Sequence, residues 1–242
     1  MNEAVQTIDG ARGSLVERAM DFVRDHIRDH DLKVGDTLPG EGSFAAEMGV
    51  SRPVMREAFG ALAALRLVDV GNGRKPRVGA MDGSVMAASM GHAVNTAQVS
   101  LADVWEVRRT LELRTAEMAA TNRSEEQARA ILAAAHGLAI EGDEAARTAA
   151  DTAFHQTIAA ASGNPLFYQI VRSFEELMER AIPRAWQGRT TEAEREETLA
   201  LHREVAEAIA AREPARARIA MERHFANSVG ELLRRNAEFG LP

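Results

Sequence analysis

Four side chains of the kinds that ligate divalent metals lie far apart in this chain but share one helical pattern. Asp151 and His155 are four residues apart, so on a helix both project from the same face. His202 and His224 each lie within runs of apolar residues at helical spacing, which puts them on the inward sides of two further helices. These positions predict a metal site inside a helical bundle.

The types of these four side chains limit which metal ions the site could bind. One carboxylate and three imidazoles suit a borderline divalent cation, with Zn²⁺ as the first expectation and Ni²⁺, Co²⁺, Fe²⁺ and Mn²⁺ as alternatives. The chain has no Cys, so thiolate sites and disulfides are excluded. Three or four protein ligands leave coordination positions for water or for an anionic effector.

A second segment whose side chains could carry a function is basic and lies nearer the start of the chain. The formal net charge of the protein is −7, yet residues 51–78 contain six basic and only two acidic side chains. A phosphate-contacting surface requires such a local concentration of positive charge. Arg52 and Arg56 are one turn apart on a predicted helix, where their guanidinium groups can contact guanine edges or clamp phosphates.

Three helices and a hairpin are predicted to position these arginines. Ser14 and Glu17 form a capping-box pattern before the first helix. The second helix is predicted at about 41–48, ending at Gly49 in the left-handed conformation that glycine favours. After the third helix, the Asn72-Gly73 step predicts a β-hairpin. This order of elements is that of a winged helix-turn-helix.

The third helix carries the basic face. Ser51 is a natural N-cap, Pro53 lies in the first turn where its missing N–H costs nothing, and the helix is predicted to run to about Leu65. Its spacing predicts four buried side chains, Val54, Ala58, Leu62 and Leu65.

The rest of the chain predicts an antiparallel bundle of about six helices. Their start signals are Ser100, Ser124, Asn164-Pro165, Thr191 with Glu194, and Pro214. The fold class is therefore mainly α: an N-terminal winged helix-turn-helix with a small β-hairpin wing, then an antiparallel all-α bundle. The predicted boundaries are 12–79 for the head, 80–99 for a linker and 100–236 for the bundle.

Targeting signals are not evident in the sequence. The first twenty residues lack the continuous apolar core of a signal peptide, and no apolar run approaches the roughly 20 residues that span a bilayer. These features predict a cytoplasmic protein that does not enter a membrane.

The head resembles the winged domain of GntR-family transcription regulators. The resemblance rests on LPGE, GVSRPVMREAF and the glycine-containing turn GNGRKPR, within residues 12–79. It implies binding of double-stranded operator DNA by the start of the third helix and by the wing. Gly42 departs from the family pattern, which usually has an Arg there, so a DNA contact is lost or altered. The implied DNA-binding residues are Ser51, Arg52, Pro53, Arg56, Asn72 and Gly73, and the wing turn adds the basic side chains of Arg74 and Lys75.

The bundle resembles the FCD ligand-binding domain of the FadR subfamily. The resemblance rests on DTAFH followed by SGNP, on LHREVAEAI and on AMERHF. It implies that Asp151, His155, His202 and His224 coordinate the metal. It also implies that Arg108 faces the pocket, where its planar guanidinium can bind an effector carboxylate. A salt bridge between Arg108 and Glu112 is the alternative role for that arginine.

Three functions are consistent with these residues. The first is a homodimeric transcription regulator, not an enzyme, whose operator affinity is tuned by a small organic acid at the metal-containing pocket. The second is a metalloregulator that senses the metal ion itself. The third is a metal hydrolase carried by a DNA-binding head, since a histidine-rich site can activate water. No general base with a matching motif is evident, which ranks the hydrolase last.

Overall fold

The chain divides between Val85 and Met86 into two compact units, as a computed structural model of the protein shows. The structure describes residues 13–71, 73–138, 144–187 and 191–239. The division falls inside helix α4, Ser84–Asn95, which occupies most of the segment predicted as a linker.

The first unit contains three helices and a small antiparallel sheet. Ser14 caps the first helix as predicted, with a reciprocal capping box to Glu17. Gly49 ends the second helix at φ 73°, the left-handed conformation predicted for it. Pro53 lies in the first turn of the third helix. The elements are α1 (Leu15–Asp29), α2 (Glu41–Met48), α3 (Arg52–Ala64), β1 (Val68–Asp69) and β2 (Arg77–Val78).

The core of this unit differs in part from the one predicted. Ala58 and Leu62 are buried as expected, but Val54 is only partly buried and Leu65 is 45% exposed. Leu65 is the C-cap of α3, where the backbone leaves helical geometry, so extrapolating the helical stripe to it was wrong. The buried face of α3 is instead completed by Met55 and Phe59.

The wing is held by pairing on both sides of β2. Val68 pairs with Val78 and Asp69 with Arg77, while Thr37 forms a further antiparallel bridge to Arg77. A Cβ at Gly79 would lie 2.3 Å from the carbonyl oxygen of Arg66, so only glycine fits where the chain leaves the sheet. The predicted turn residue Asn72 lies outside the described residues.

The described residues of the second unit form helices that are joined by short connections. Ser100, Ser124 and Thr191 cap the starts of α5, α6 and α10, as predicted, and each of them forms a reciprocal capping box. The helix predicted from Pro165 is two helices, α8 and α9, so the described residues after Ser100 form seven helices instead of six. They are α5 (Leu101–Asn122), α6 (Glu125–Gly137), α7 (Glu144–Ala161), α8 (Pro165–Ser173), α9 (Glu175–Gln187), α10 (Glu192–Ala210) and α11 (Pro214–Phe239).

Helices α5, α6, α7, α10 and α11 pack around the main core of this unit. Small residues at their contacts, such as Ala116, Ala206 and Ala220, are fully buried and let the helices approach closely. Phe154 and Phe225 fill the space between them. Among the described helices, none is both long and apolar enough to cross a bilayer.

Candidate functional site

The structure brings the four sequence-predicted metal ligands together inside the second unit. Asp151 and His155 lie on α7, His202 on α10 and His224 on α11, and all four side chains are buried. One ring nitrogen from each of the three histidines lies within 4.8 Å of the others. Three histidines up to 69 positions apart in the sequence thus form one compact donor set.

The carboxylate of Asp151 lies between two of the imidazoles. Its Oδ1 is 3.2 Å from His202 Nε2 and its Oδ2 is 3.7 Å from His155 Nε2. The rings of His202 and His224 are 4.3 Å apart, centroid to centroid. The Nε2 atoms of His155 and His202 therefore both face the carboxylate, as ligand atoms around a shared cation would.

The Nδ1 atoms of His202 and His155 each contact a hydrogen-bond acceptor. His202 Nδ1 lies 2.8 Å from the carbonyl oxygen of Thr198, and His155 Nδ1 hydrogen-bonds Glu112. A carbonyl oxygen can only accept, so Nδ1 of His202 carries the proton. Between His202 Nε2 and the negative oxygen of Asp151, 3.2 Å apart, either a proton on Nε2 or a metal ion satisfies both atoms. This outer support is the kind that orients metal-bound histidines, so the donor set fits a divalent ion.

Burial and neighbouring charges keep these groups in their ligating forms. Burial raises the pKa of the Asp151 carboxyl, but His202 and His155 more than offset it, so that pKa lies well below its usual value. Burial lowers the pKa of His224, and the adjacent His202 and His155 lower it further. Asp151 is therefore an anion and His224 a neutral imidazole at neutral pH, the forms that bind metal.

Arg108 lies beside this cluster and is connected to it. Its guanidinium donates to Glu112, which also accepts from His155, so the three side chains form a continuous buried chain. Burial raises the pKa of Glu112, but Arg108 and then His155 outweigh this effect and hold that pKa below its usual value. The guanidinium also lies 5.2 Å from the ring centroid of Trp105 and 5.6 Å from that of Phe225. The internal salt bridge weighed for Arg108 is thus present.

Sequence reasoning missed the full role of Glu112. Its spacing from Arg108 suggested a salt bridge, but its contact with His155 joins residues 43 positions apart, for which the sequence carries no signal. The neighbouring Arg109 points elsewhere and pairs with Glu222 at 2.9 Å.

In the first unit, the candidate DNA-binding arginines are exposed at the start of α3. Arg56 Nε lies 3.4 Å from a carboxylate oxygen of Glu41, at the start of α2. A Cβ at Gly42 would lie 3.5 Å from the guanidinium of Arg52, so the absent side chain at residue 42 leaves room for Arg52. Ser51 occupies the N-cap position, although its side chain makes no capping hydrogen bond.

The described part of the wing turn is also exposed. Gly73 has a φ of 74°, and Lys75 projects from the surface. Arg74 donates to Asp69 at 2.9 Å and 3.1 Å, so this basic side chain has an acidic partner within the head. Asn72, also predicted to contact DNA, lies outside the described residues.

Comparisons with known proteins agree with the division of the chain into two units. The profile of bacterial regulatory proteins of the gntR family matches residues 15–78, and that of the FCD domain matches residues 103–227. The HTH-type transcriptional regulator LutR of Bacillus subtilis (strain 168) is 30% identical over 83% of this chain and 93% of its own length. The HTH-type transcriptional repressor NanR of Salmonella newport (strain SL254) is 28% identical over 90% of this chain and 85% of its own.

One solved structure has a similar fold. Streptococcus agalactiae GntR superimposes with a TM-score of 0.67 at 23% identity, covering 91% of this chain and 99% of its own.

The buried contacts that link Arg108, Glu112 and His155 predict that loss of Arg108 strongly lowers the free energy of unfolding. Arg108→Ala leaves the Glu112 carboxylate buried without its cation and should lower the free energy of unfolding by about 3–5 kcal/mol. Adding Glu112→Gln to an Arg108→Met variant should recover much of that loss, because the buried charge is then removed too. Urea unfolding of the full chain measures both. The control Arg114→Ala breaks an exposed pair with Glu117 and should cost less than about 1 kcal/mol. Equal losses in Arg108→Ala and Arg114→Ala would contradict this account of the buried chain.

Proposed function

Because the chain belongs to the GntR family of bacterial regulatory proteins and carries an FCD domain, it is a DNA-binding transcription regulator, and we propose that a small organic acid controls its operator affinity. The acid binds in the helical unit beside a divalent metal. The observation that carries this proposal is the buried donor set of Asp151 and three histidines, with the cationic Arg108 linked to it through Glu112.

The head reads DNA through α3 and the wing. Arg52 and Arg56 are exposed on one face of a helix whose opposite face is buried, as major-groove recognition requires. Ser51 and Pro53 shape the start of that helix, where the backbone approaches phosphates. The wing turn contributes Asn72, Gly73, Arg74 and Lys75 to the neighbouring groove or backbone. Arg74 is free to contact DNA only once it leaves Asp69.

We expect a homodimer that binds a two-fold symmetric operator. One winged head covers a single half-site, and two heads related by a two-fold axis select a palindrome. The name of the NanR relative supports repression as the direction of control. Effector binding would then release the operator.

The metal would be held by Asp151, His155, His202 and His224. When bound, a divalent ion such as Zn²⁺ supplies a Lewis acid that attracts a carboxylate or hydroxyl oxygen. Arg108 supplies a planar donor for the same acid. Because Glu112 joins Arg108 to His155, an acid that engages Arg108 acts on the support of a metal ligand.

A metalloregulator is the second candidate, and the same donor set favours it. In that case the metal alone changes operator affinity. The relatives are named as regulators, which supports a chain that is not an enzyme.

The first prediction of this function concerns operator binding. Arg52→Ala and Arg56→Ala should each weaken binding to an operator selected by the wild-type protein by about 1–3 kcal/mol, the cost of a lost base contact. Lys75→Ala should weaken binding to all sequences and reduce the salt slope by about 1, as loss of one phosphate contact does. Fluorescence anisotropy at several salt concentrations measures both. Arg24→Ala on α1 is the control, because it removes an exposed arginine already paired with Asp21 at 2.9 Å. Unchanged affinity in both α3 variants would reject the recognition helix.

The second prediction concerns the metal. Purified protein should retain a divalent ion, and Ala at His155, His202 or His224 should greatly reduce retention, whereas His136→Ala, on an exposed histidine, should not. Falling pH should release the ion, because protons compete for the imidazoles and the carboxylate. The lowered pKa values of Asp151 and His224 delay their protonation, so the loss of these two ligands should need a lower pH than their ordinary pKa values would imply. Elemental analysis across a pH series measures this. A protein that holds no ion, and that added Zn²⁺ does not stabilise, would exclude the site.

The third prediction couples the two units. An effector acid should change operator affinity by about 1–3 kcal/mol, and operator DNA must change acid affinity by the same factor. DNA titrations with metal-loaded protein, with and without the acid, measure the effect. The Arg108→Met, Glu112→Gln variant should lose the response and keep acid-free DNA binding. A normal response in that variant would make Arg108 purely structural. If metal without acid shifts the titration, the metalloregulator is favoured; if a bound acid never shifts it, the sensor proposal fails.

A further inference from the structure

The wing of the first unit contains an arginine whose side chain folds back along the hairpin. Arg74 Nη2 lies 2.9 Å from Oδ1 and 3.1 Å from Oδ2 of Asp69, so both carboxylate oxygens accept from one guanidinium nitrogen. Asp69 belongs to β1 and lies opposite Arg77 in the sheet, behind the turn that carries Arg74. The guanidinium therefore lies beside the strands instead of extending beyond the tip of the turn.

Glycine at residue 71 makes this position of Arg74 possible. A Cβ at Gly71 would overlap the arginine side chain, with Cζ of Arg74 2.9 Å and its Nη2 3.0 Å away. The φ of Gly71 lies outside the left-handed region, so the backbone conformation does not itself require glycine there. The close approach of the Arg74 side chain is what a larger residue would prevent.

The backbone on both sides of Arg74 is held independently of this ion pair. The N–H of Arg74 donates to the carbonyl of Gly71 at 3.3 Å, which closes the turn. After the turn, the carbonyl of Pro76 accepts from the N–H of Leu38 at 2.8 Å, so the strand that follows is anchored to the rest of the head. Releasing Arg74 from Asp69 therefore needs a change of side-chain torsions alone.

The ion pair is close, but it is exposed to solvent. The side chains of Arg74 and Asp69 are 54% and 53% exposed. Such a pair changes an equilibrium constant by at most about fivefold, so DNA phosphates can open it. A phosphate that draws Arg74 away must first replace the carboxylate, and it leaves the negative charge of Asp69 beside the DNA. The pair therefore opposes DNA binding by the wing.

We propose that Asp69 and Gly71 hold Arg74 in an autoinhibited position and thereby lower the affinity of the wing for DNA. Gly71 leaves room for the folded side chain and Asp69 binds its guanidinium, so both residues act on DNA binding through Arg74. This inference rests on the proposed contact between the wing and DNA, and it names the residues that limit that contact. The protein then binds DNA of arbitrary sequence more weakly, and with a smaller salt dependence, than its basic wing residues predict.

Fluorescence anisotropy of the full chain with a labelled duplex of mixed sequence, over a range of salt concentrations, tests the proposal. Gly71→Ala displaces Arg74 from Asp69 without changing any charge, and Asp69→Asn removes the carboxylate without changing residue 71. Each variant should bind the duplex about two- to fivefold more tightly, because the ion pair no longer has to open. Each should also steepen the salt slope by up to about 0.9, the value of one added phosphate contact.

The same substitutions in an Arg74→Ala background separate the ion pair from general charge repulsion. The guanidinium is absent there, so Gly71→Ala should change nothing and Asp69→Asn should lose most of its effect. Two matched controls should leave DNA binding unchanged in the wild-type background. Asp21→Asn breaks a similarly exposed arginine pair on α1, and Gly137→Ala adds a Cβ that meets no atom within 4 Å.

Unchanged or weaker binding in the two single variants would overturn the proposal, since the pair would then be neutral or would position Arg74 for contact. Equal tightening with and without Arg74 would also overturn it, because Asp69 would then repel phosphates directly. Thermal unfolding checks that each variant is folded, and Asp69→Asn decides alone if Gly71→Ala is not. Lys75→Ala, measured in parallel, reports on the wing itself. An unchanged salt slope in Lys75→Ala rejects the proposed wing contact, whereas a reduced slope there without any Arg74-dependent effect rejects only the autoinhibition.

Discussion

The second unit depends on the burial of two carboxylates, Asp151 and Glu112, inside a helical bundle. An isolated buried carboxylate would take up a proton or destabilise the fold. Here Glu112 is neutralised by Arg108 and supported by His155, while Asp151 lies against His155 and His202. This charge balance requires α5, α7 and α10 to hold one register. The packing of the bundle therefore fixes the candidate site, and removing only one partner of a buried charge pair should destabilise the bundle.

The same charge balance makes the candidate site sensitive to a ligand that binds Arg108. Arg108 reaches His155 only through Glu112, so a ligand that draws on the guanidinium changes the outer support of a metal ligand. The apolar contacts of Arg108 with Trp105 and Phe225 hold the guanidinium in place. The head, by contrast, has its own core around Phe44, Phe59 and Leu62, and draws its stability from ordinary apolar burial.

Local signals in the sequence predicted the elements well wherever a cap or a turn dictates backbone geometry. Ser14, Ser100, Ser124 and Thr191 all open helices with capping boxes, because a side-chain acceptor and a reciprocal carboxylate or amide act within four residues. The errors arose where packing decides. Leu65 continued an apolar stripe but lies beyond the end of α3, and the break between α8 and α9 at Phe174 has no proline or glycine to mark it.

The sequence by itself determined the two-part organisation, the family, the basic face of α3 and the identity of four candidate ligands. These follow from residue types and short spacings, since a helix converts an interval of four residues into a shared face. Only the tertiary structure decided that Asp151, His155, His202 and His224 converge and that Glu112 supports His155. It also decided that the Thr152 hydroxyl is buried with no hydrogen-bond partner among the described residues. Such contacts join helices distant in sequence, and their distances depend on how side chains pack between the helices, which no local pattern specifies.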